Sequence, residues 1–128
     1  MSNIDEYKRS ELHYLCIGIP ENERLKKLQE LIASGENINA QDRNGWSPLH
    51  FAAQEGDHKV AKLLIENGAD ISLVDVNGNT PIWVATMNSY HGTEVITILL
   101  SSGADPSQKN IHGVSPIDVS PELFKDAI

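Results

Sequence analysis

The five histidines are the residues of this 128-residue chain best suited to hold a metal ion or to transfer protons near neutral pH. Zinc sites in proteins show histidines or cysteines at short, regular spacings, such as two histidines four residues apart on one helix. His58, His91 and His112 have no partner at such a spacing, and we expect all three on loops or turns. The histidine pattern therefore predicts no metal site.

The remaining chemistry-bearing residues give no pattern typical of an active site. A single cysteine, Cys16, allows no intramolecular disulfide and fits a reducing compartment. The carboxylate pairs Asp5/Glu6 and Glu21/Glu23 fall in the N-terminal segment and in an expected loop, where solvation is the ordinary role. Phosphate-binding glycine loops, His-Glu-x-x-His and Gly-x-Ser-x-Gly are missing from the sequence. We therefore expect neither an enzyme nor a bound cofactor.

The charge balance indicates the kind of partner. The formal net charge is −8, so phosphate-rich nucleic acids and anionic membranes would be repelled. No Lys or Arg lies between Lys62 and Lys109, whereas five carboxylates do. No apolar run approaches the roughly 18 residues of a membrane span, and the start lacks the pattern of a secretion signal. We expect a cytoplasmic protein, monomeric when free, whose partner is a protein with a basic surface.

Two sequence landmarks recur along the chain with one period. The run NGWSPLH begins at residue 44, NGNTPIW at 77 and HGVSPID at 112, giving steps of 33 and 35 residues. A second series of glycines keeps the same rhythm, at Gly35, Gly68 and Gly103. Because two landmarks share one period, with a two-residue insertion in the third unit, the chain is predicted to be an array of similar units.

Each landmark predicts a local structure. Three hydroxyl residues precede a proline, as helix N-caps do when proline takes the first helical position; they are Ser47, Thr80 and Ser115. Three glycines fall where a tight turn needs a positive φ; they are Gly45, Gly78 and Gly113. Gly68 and Gly103 follow apolar runs as C-caps. Each unit is thus predicted to consist of a turn, a short helix, a longer helix and a loop. Such units must stack on their neighbours to bury their apolar faces. The alternative fold is an ordinary helical bundle.

The second unit resembles the ankyrin repeat, through SPLHFAA at residues 47–53 and NGAD at residues 67–70. The resemblance implies an all-α solenoid of stacked helix-turn-helix units in one domain, residues 1–128. The units would be a divergent repeat at 10–42, a regular repeat at 43–75, a repeat with two extra residues at 76–110 and a truncated capping unit at 111–128. In the first unit an insertion around residues 19–22 is expected to lengthen the loop between the two helices.

Residue by residue, the resemblance also implies roles. His13 and His50 would tie each turn to its helix, and Cys16 aligns with a buried alanine. Partner binding would use the turn tips and the exposed face of each first helix. The candidate partner-binding residues are Arg43, Asn44, Trp46, Gln54, Glu55, Asp75, Val76, Asn77, Asn79, Met87, Asn88, Ile111, His112 and Val114.

Four of these candidates are large or apolar at positions where solvent is expected, and exposed apolar residues are typical of interfaces; they are Trp46, Val76, Met87 and Ile111. Trp46 is predicted to be the apolar anchor, with Glu55 and Asp75 steering a basic partner. Alternatively, Trp46 covers the neighbouring turn.

Three classes of function remain. The first is a protein that binds and inhibits a partner, as an immunity protein neutralises a cognate toxin in the cytosol. The size and acidity of the chain favour this hypothesis. The second is a general adaptor or scaffold, or a regulatory subunit. The third, an enzyme, is the least supported, because the sequence shows no motif for one.

Overall fold

In the computed structural model, which describes residues 6–126, the chain is helical and carries no strand over those residues. The helices are α1 (Leu15–Gly18), α2 (Glu21–Ala33), α3 (Pro48–Glu55), α4 (His58–Glu66), α5 (Pro81–Met87), α6 (Glu94–Ser101) and α7 (Pro116–Val119). Two short 3₁₀ helices cover Ser89–His91 and Pro121–Phe124. The all-α architecture expected from the sequence is confirmed.

The first helix of each later unit begins as the sequence predicts. The hydroxyls of Ser47, Thr80 and Ser115 accept hydrogen bonds from backbone N–H groups three residues on, at 3.4, 3.3 and 3.2 Å. The following proline occupies the first helical turn in all three. A cap of this kind contributes about 1 kcal/mol to helix stability. The starts of α3, α5 and α7 are therefore fixed by local chemistry.

The second helices end in one recurring motif. After α4, the N–H of Gly68 donates to the carbonyl of Ile65 at 3.1 Å, and the N–H of Ala69 donates to that of Leu64 at 2.9 Å. Gly68 has a φ of 94°, which a residue with a side chain rarely adopts. The same pair of bonds closes α6 at Gly103 and Ala104. This is the Schellman arrangement, and it confirms the predicted C-caps.

The helices stack in two layers. The first helices α1, α3, α5 and α7 contact one another in sequence, and so do the second helices α2, α4 and α6. Ala52 and Ala53 in α3 and Ala85 in α5 are buried and let adjacent helices approach closely. Leu28, Leu64 and Leu99, one from each second helix, are fully buried between the layers. At the C-terminal end the core is completed by Phe124, a residue to which the sequence pattern assigned no role.

The structure corrects the expectation for the first unit. Residues 19–22 were expected to form a long loop, but α2 already begins at Glu21 after Pro20. Glu21 and Glu23 lie in the first turn, where carboxylates interact favourably with the helix dipole. The extra residues therefore lengthen the helix, to 13 residues against 9 in α4.

Two of the histidines expected on loops or turns also lie in helices. His58 is the first residue of α4, and His91 belongs to a 3₁₀ helix. His112 is on a turn as expected, and Asp5 lies outside the described residues.

Candidate protein-binding surface

In the second, third and fourth units a short turn precedes the first helix, and one side chain organises it. In the second unit, Asp42 Oδ1 accepts from the N–H groups of Asn44 and Trp46 at 2.9 and 2.8 Å. In the third unit, Asp75 Oδ1 accepts from those of Asn77 and Asn79 at 2.8 and 2.9 Å. The fourth unit uses the amide oxygen of Asn110 in the same way. The repeated geometry holds the turn tips of the second, third and fourth units in the same conformation.

Backbone hydrogen bonds join each turn to the next. The N–H of Val76 donates to the carbonyl of Asn44, and the N–H of Ile111 donates to that of Asn77, both at 3.0 Å. At Gly45 a Cβ atom would lie 2.8 Å from the Cα of Asp75, so only glycine allows the turns to approach this closely. The turn tips therefore form a continuous row whose members are held in register.

Two buried histidines tie the turns to the helices, as predicted. His50 Nδ1 accepts from the N–H of Ser47 at 3.1 Å, and its Nε2 donates to the carbonyl of Asn79 in the next unit at 3.0 Å. His13 makes the equivalent bonds to Ser10 and to the carbonyl of Trp46. Burial lowers the pKa of both imidazoles below the ordinary value. Both histidines are therefore neutral and link their own unit to the next one by hydrogen bonds.

A groove of about 460 Å³ lies between the turn tips and the first helices, and we call it the turn-tip groove. It is lined by Arg9, Ile17, Asn44, Trp46, Phe51, Gln54, Asp75, Val76 and Asn77. Most of its lining was predicted from the sequence to contact a partner. The groove is thus a preformed concavity at the place where the repeat resemblance expects binding.

Two exposed apolar side chains, Ile17 and Val76, line this groove, and two others, Met87 and Ile111, lie outside its lining. Val76 and Ile111, on successive turn tips, are 63% and 67% exposed, and Met87 at the end of α5 is 52% exposed. Ile17, 46% exposed, was not among the residues predicted from the sequence. His13 and Trp83 stand at equivalent positions of their repeats, and Ile17 follows His13 by four residues as Met87 follows Trp83. The repeat spacing could therefore have predicted Ile17 as the equivalent of Met87.

The other candidates differ in accessibility. The exposed ones are Arg43, Asn44, Asn77 and His112, and the half-buried ones are Gln54, Glu55, Asn79, Asn88 and Val114.

Trp46 and Asp75 contact each other across the junction between the second and third units. Asp75 is only 7% exposed, and its second oxygen, Oδ2, accepts from Trp46 Nε1 at 3.0 Å. Both oxygens of this carboxylate are therefore engaged within the protein, but Asp75 still lines the groove, and its role in steering a basic partner stays a prediction.

The ring of Trp46 is half-buried, with its centroid 5.7 Å from that of His50 and 5.0 Å from that of Phe51. Trp46 therefore covers the neighbouring turn, while its free edge still lines the groove.

Cys16 is packed between units. It is 3% exposed, and its thiol donates to Asp57 Oδ2 at 3.6 Å. Burial raises the pKa of this thiol far above the ordinary value. The same carboxylate oxygen accepts from Arg24 at 3.1 Å, while Asp57 Oδ1 caps α4 by accepting from the N–H of Val60. The side chains around Cys16 thus fasten the first unit to the second.

Within residues 6–126, no three His, Cys, Asp or Glu side chains are grouped so that they could hold a metal ion. Over the same range, no helix has the length and apolar character needed to cross a membrane.

Comparison with known proteins identifies the repeats. A family model described as ankyrin repeats, in three copies, matches residues 12–110. The human transient receptor potential cation channel subfamily A member 1 is 31% identical over 118 residues, which are 91% of this chain and 10% of the channel. NF-kappa-B inhibitor zeta of Bos taurus is 34% identical over 98 residues, covering 72% of this chain and 14% of the inhibitor.

An ankyrin repeat-containing protein of Schizosaccharomyces pombe is 43% identical over 99 residues, covering 72% of this chain and 45% of the yeast protein. The chain therefore spans less than half the length of each of these relatives. With the family model matching most of the chain, and with capped helix pairs joined by hydrogen-bonded turns, this chain belongs to the ankyrin-repeat family of protein-binding modules.

Proposed function

We propose that this protein binds one partner protein in the turn-tip groove and inhibits it by covering a surface that the partner needs. The supporting observation is the pair of exposed apolar side chains that line the groove, Ile17 and Val76, with Ile111 exposed on the next turn tip. Exposed apolar residues collected at a preformed concavity are typical of an interface. Because hydrogen bonds already hold the turns in register, little conformational entropy is lost when a partner docks.

The partner class that we favour is a basic toxin or enzyme, held inactive in the cytoplasm. The net charge of −8 would attract such a protein at long range. The bovine relative is named as an inhibitor, which supports an inhibitory mode of action without identifying the partner of this chain. In this proposal the protein is itself not an enzyme and acts only by occupying its partner.

The alternative is an adaptor or regulatory subunit. The matches cover only 10% to 45% of the length of each relative, so in those relatives the ankyrin array is one part of a larger protein. This observation favours an adaptor or regulatory subunit. The two functions differ in the fate of the partner. An inhibitor abolishes the activity of its partner at stoichiometric amounts, whereas an adaptor leaves the bound partner active.

The test is affinity capture from cells that naturally make the protein, with wild type, Val76→Asp and Thr97→Asp as baits. Both variants add one negative charge at an exposed residue, but Thr97 lies on α6, outside the turn-tip groove. Val76→Asp should weaken binding at least about tenfold, as for an apolar contact at the centre of an interface. Thr97→Asp should bind like wild type. Equal capture by all three baits would refute the groove, and a captured partner that stays active would favour the adaptor.

A further inference from the structure

The row of turn tips carries two asparagines that are each followed by glycine, Asn44-Gly45 and Asn77-Gly78. Both asparagine side chains are exposed. In such a pair the backbone nitrogen of the glycine can attack the asparagine Cγ, and the missing side chain of glycine leaves that approach open. The turn that the repeat requires therefore places a chemically labile pair on an exposed turn tip of the second and third units.

We propose that Asn77 is a self-modification site whose conversion to aspartate or isoaspartate is gated by the opening of its own turn. The deprotonated backbone nitrogen of Gly78 forms a bond to Cγ of Asn77, and the bond from Cγ to Nδ2 breaks with release of ammonia. Water then adds to either carbonyl of the resulting succinimide and opens the ring. The net reaction consumes one water and releases one ammonia, and it needs no other reactant.

The closed turn opposes this reaction through hydrogen bonds to one residue. The N–H of Gly78 donates to the backbone carbonyl of Asp75 at 2.9 Å. The N–H groups of Asn77 and Asn79 donate to Asp75 Oδ1 at 2.8 and 2.9 Å. A nitrogen that is donating its proton within the turn is not available as a nucleophile. Attack therefore requires a local opening in which the bond from Gly78 is broken.

Conversion of Asn77 would change both the charge and the backbone geometry of the row of turn tips. Either product places a negative charge where the exposed amide of Asn77 now stands. Isoaspartate also routes the main chain through Cβ, which displaces the carbonyl that accepts the N–H of Ile111 at 3.0 Å. Conversion thus loosens the junction between the third and fourth units, and it would change the binding surface if the proposed function is correct. The modification itself does not depend on that function.

The first test compares two rates in the wild-type protein at mildly alkaline pH. Peptide mapping by mass spectrometry measures conversion at Asn77, in the native protein and in urea. Hydrogen exchange measures the protection of the Gly78 amide. Because both processes need the same bond broken, conversion should be slowed relative to urea by at least the protection factor of that amide. A native rate equal to the rate in urea, or a slowing smaller than the protection factor, overturns the gate.

Two variants at Asp75 supply the second test. Asp75→Ala removes the Oδ1 acceptor and should accelerate conversion at Asn77 by about tenfold or more, as expected when a local opening becomes easier. Asp75→Asn also loses the acceptor of Trp46 Nε1, but it keeps an amide oxygen that can hold the turn as that of Asn110 does, so Asn77 should convert at close to the wild-type rate.

Asn44 is the internal control for the Oδ1 gate, since Asp42 Oδ1 holds its turn and Asp75 reaches that turn through Oδ2, which accepts from Trp46 Nε1. Both Asp75 variants lose the acceptor of Trp46 Nε1, so Asn44 should respond equally in the two. An acceleration at Asn44 as large as that at Asn77 in Asp75→Ala, or an equal acceleration of Asn77 in Asp75→Asn, would show that global stability and not the local gate sets the rate.

Discussion

The bond between Trp46 Nε1 and Asp75 Oδ2 gives the sharpest test of how the second and third units are joined. Trp46→Phe keeps a ring against His50 and Phe51 but removes the donor to a carboxylate that is 7% exposed. A hydrogen bond to a charged group contributes about 1.5–3 kcal/mol. Because Asp75 Oδ1 keeps its two backbone donors, we expect the lower part of that range, a loss of about 1.5 kcal/mol in the free energy of unfolding.

Trp46→Ala should cost more, because the ring contacts are also lost. Truncating a buried tryptophan costs about 3–5 kcal/mol, and because the ring of Trp46 is only half-buried we expect a loss of about 3 kcal/mol. Small domains have a total stability of about 5–15 kcal/mol, so the variant should still fold. A loss of binding by Trp46→Ala would therefore not distinguish lost stability from a lost contact with the partner. Val76→Asp is the better variant for testing binding for this reason.

The assay is urea unfolding followed by far-UV circular dichroism, since Trp46 is one of only two tryptophans and its replacement would change the fluorescence. Trp83→Phe is the matched control. Trp83 is also half-buried on the first helix of its unit, but its indole N–H donates to no other residue in the range 6–126. Because Trp83 packs partly against the core, we expect this control to lose only ring packing, about 1 kcal/mol or less. If Trp46→Phe is no more destabilising than Trp83→Phe, the bond to Asp75 does not hold the units together.

Leu64 is fully buried, so Leu64→Ala should lower the free energy of unfolding by about 2–5 kcal/mol in a urea titration, and a loss below about 1 kcal/mol would contradict its packing. His13 and His50 have lowered pKa values, so the unfolded chain binds protons that the folded one does not. Stability should therefore fall as the pH drops through about 6.5, the ordinary histidine pKa; a flat profile from neutral pH to about 5 would refute this. Lys8 has a φ of 60° and stands at the position that Gly45 and Gly78 occupy in later units. Lys8→Gly should therefore raise the free energy of unfolding by about 0.5–1 kcal/mol. Destabilisation by this change would mean that the backbone at Lys8 is unstrained.

The sequence by itself determined the features that depend on a few adjacent residues. A hydroxyl residue before proline sets the start of α3, α5 and α7, because the cap bonds span only three residues. Glycine after an apolar run sets the end of α4 and α6, because only glycine readily takes the left-handed conformation there. Their common period indicated stacked units, and the family match confirmed it. The start of α2 was predicted wrongly, because the repeat resemblance favoured a loop at residues 19–22. The carboxylates Glu21 and Glu23, which suit the first turn of a helix, indicated a helix there instead.

Only the tertiary structure decided which side chains of the turn row are available to a partner. Trp46 and Asp75 both stand at positions that the repeat resemblance assigns to the binding surface, yet they bond to each other across 29 residues of sequence. Ile17 and Phe124 were not singled out by the pattern, although the first borders the turn-tip groove and the second closes the core. Exposure depends on what the adjacent unit places against a side chain. That contact is made between residues about one repeat apart, so no local pattern specifies it.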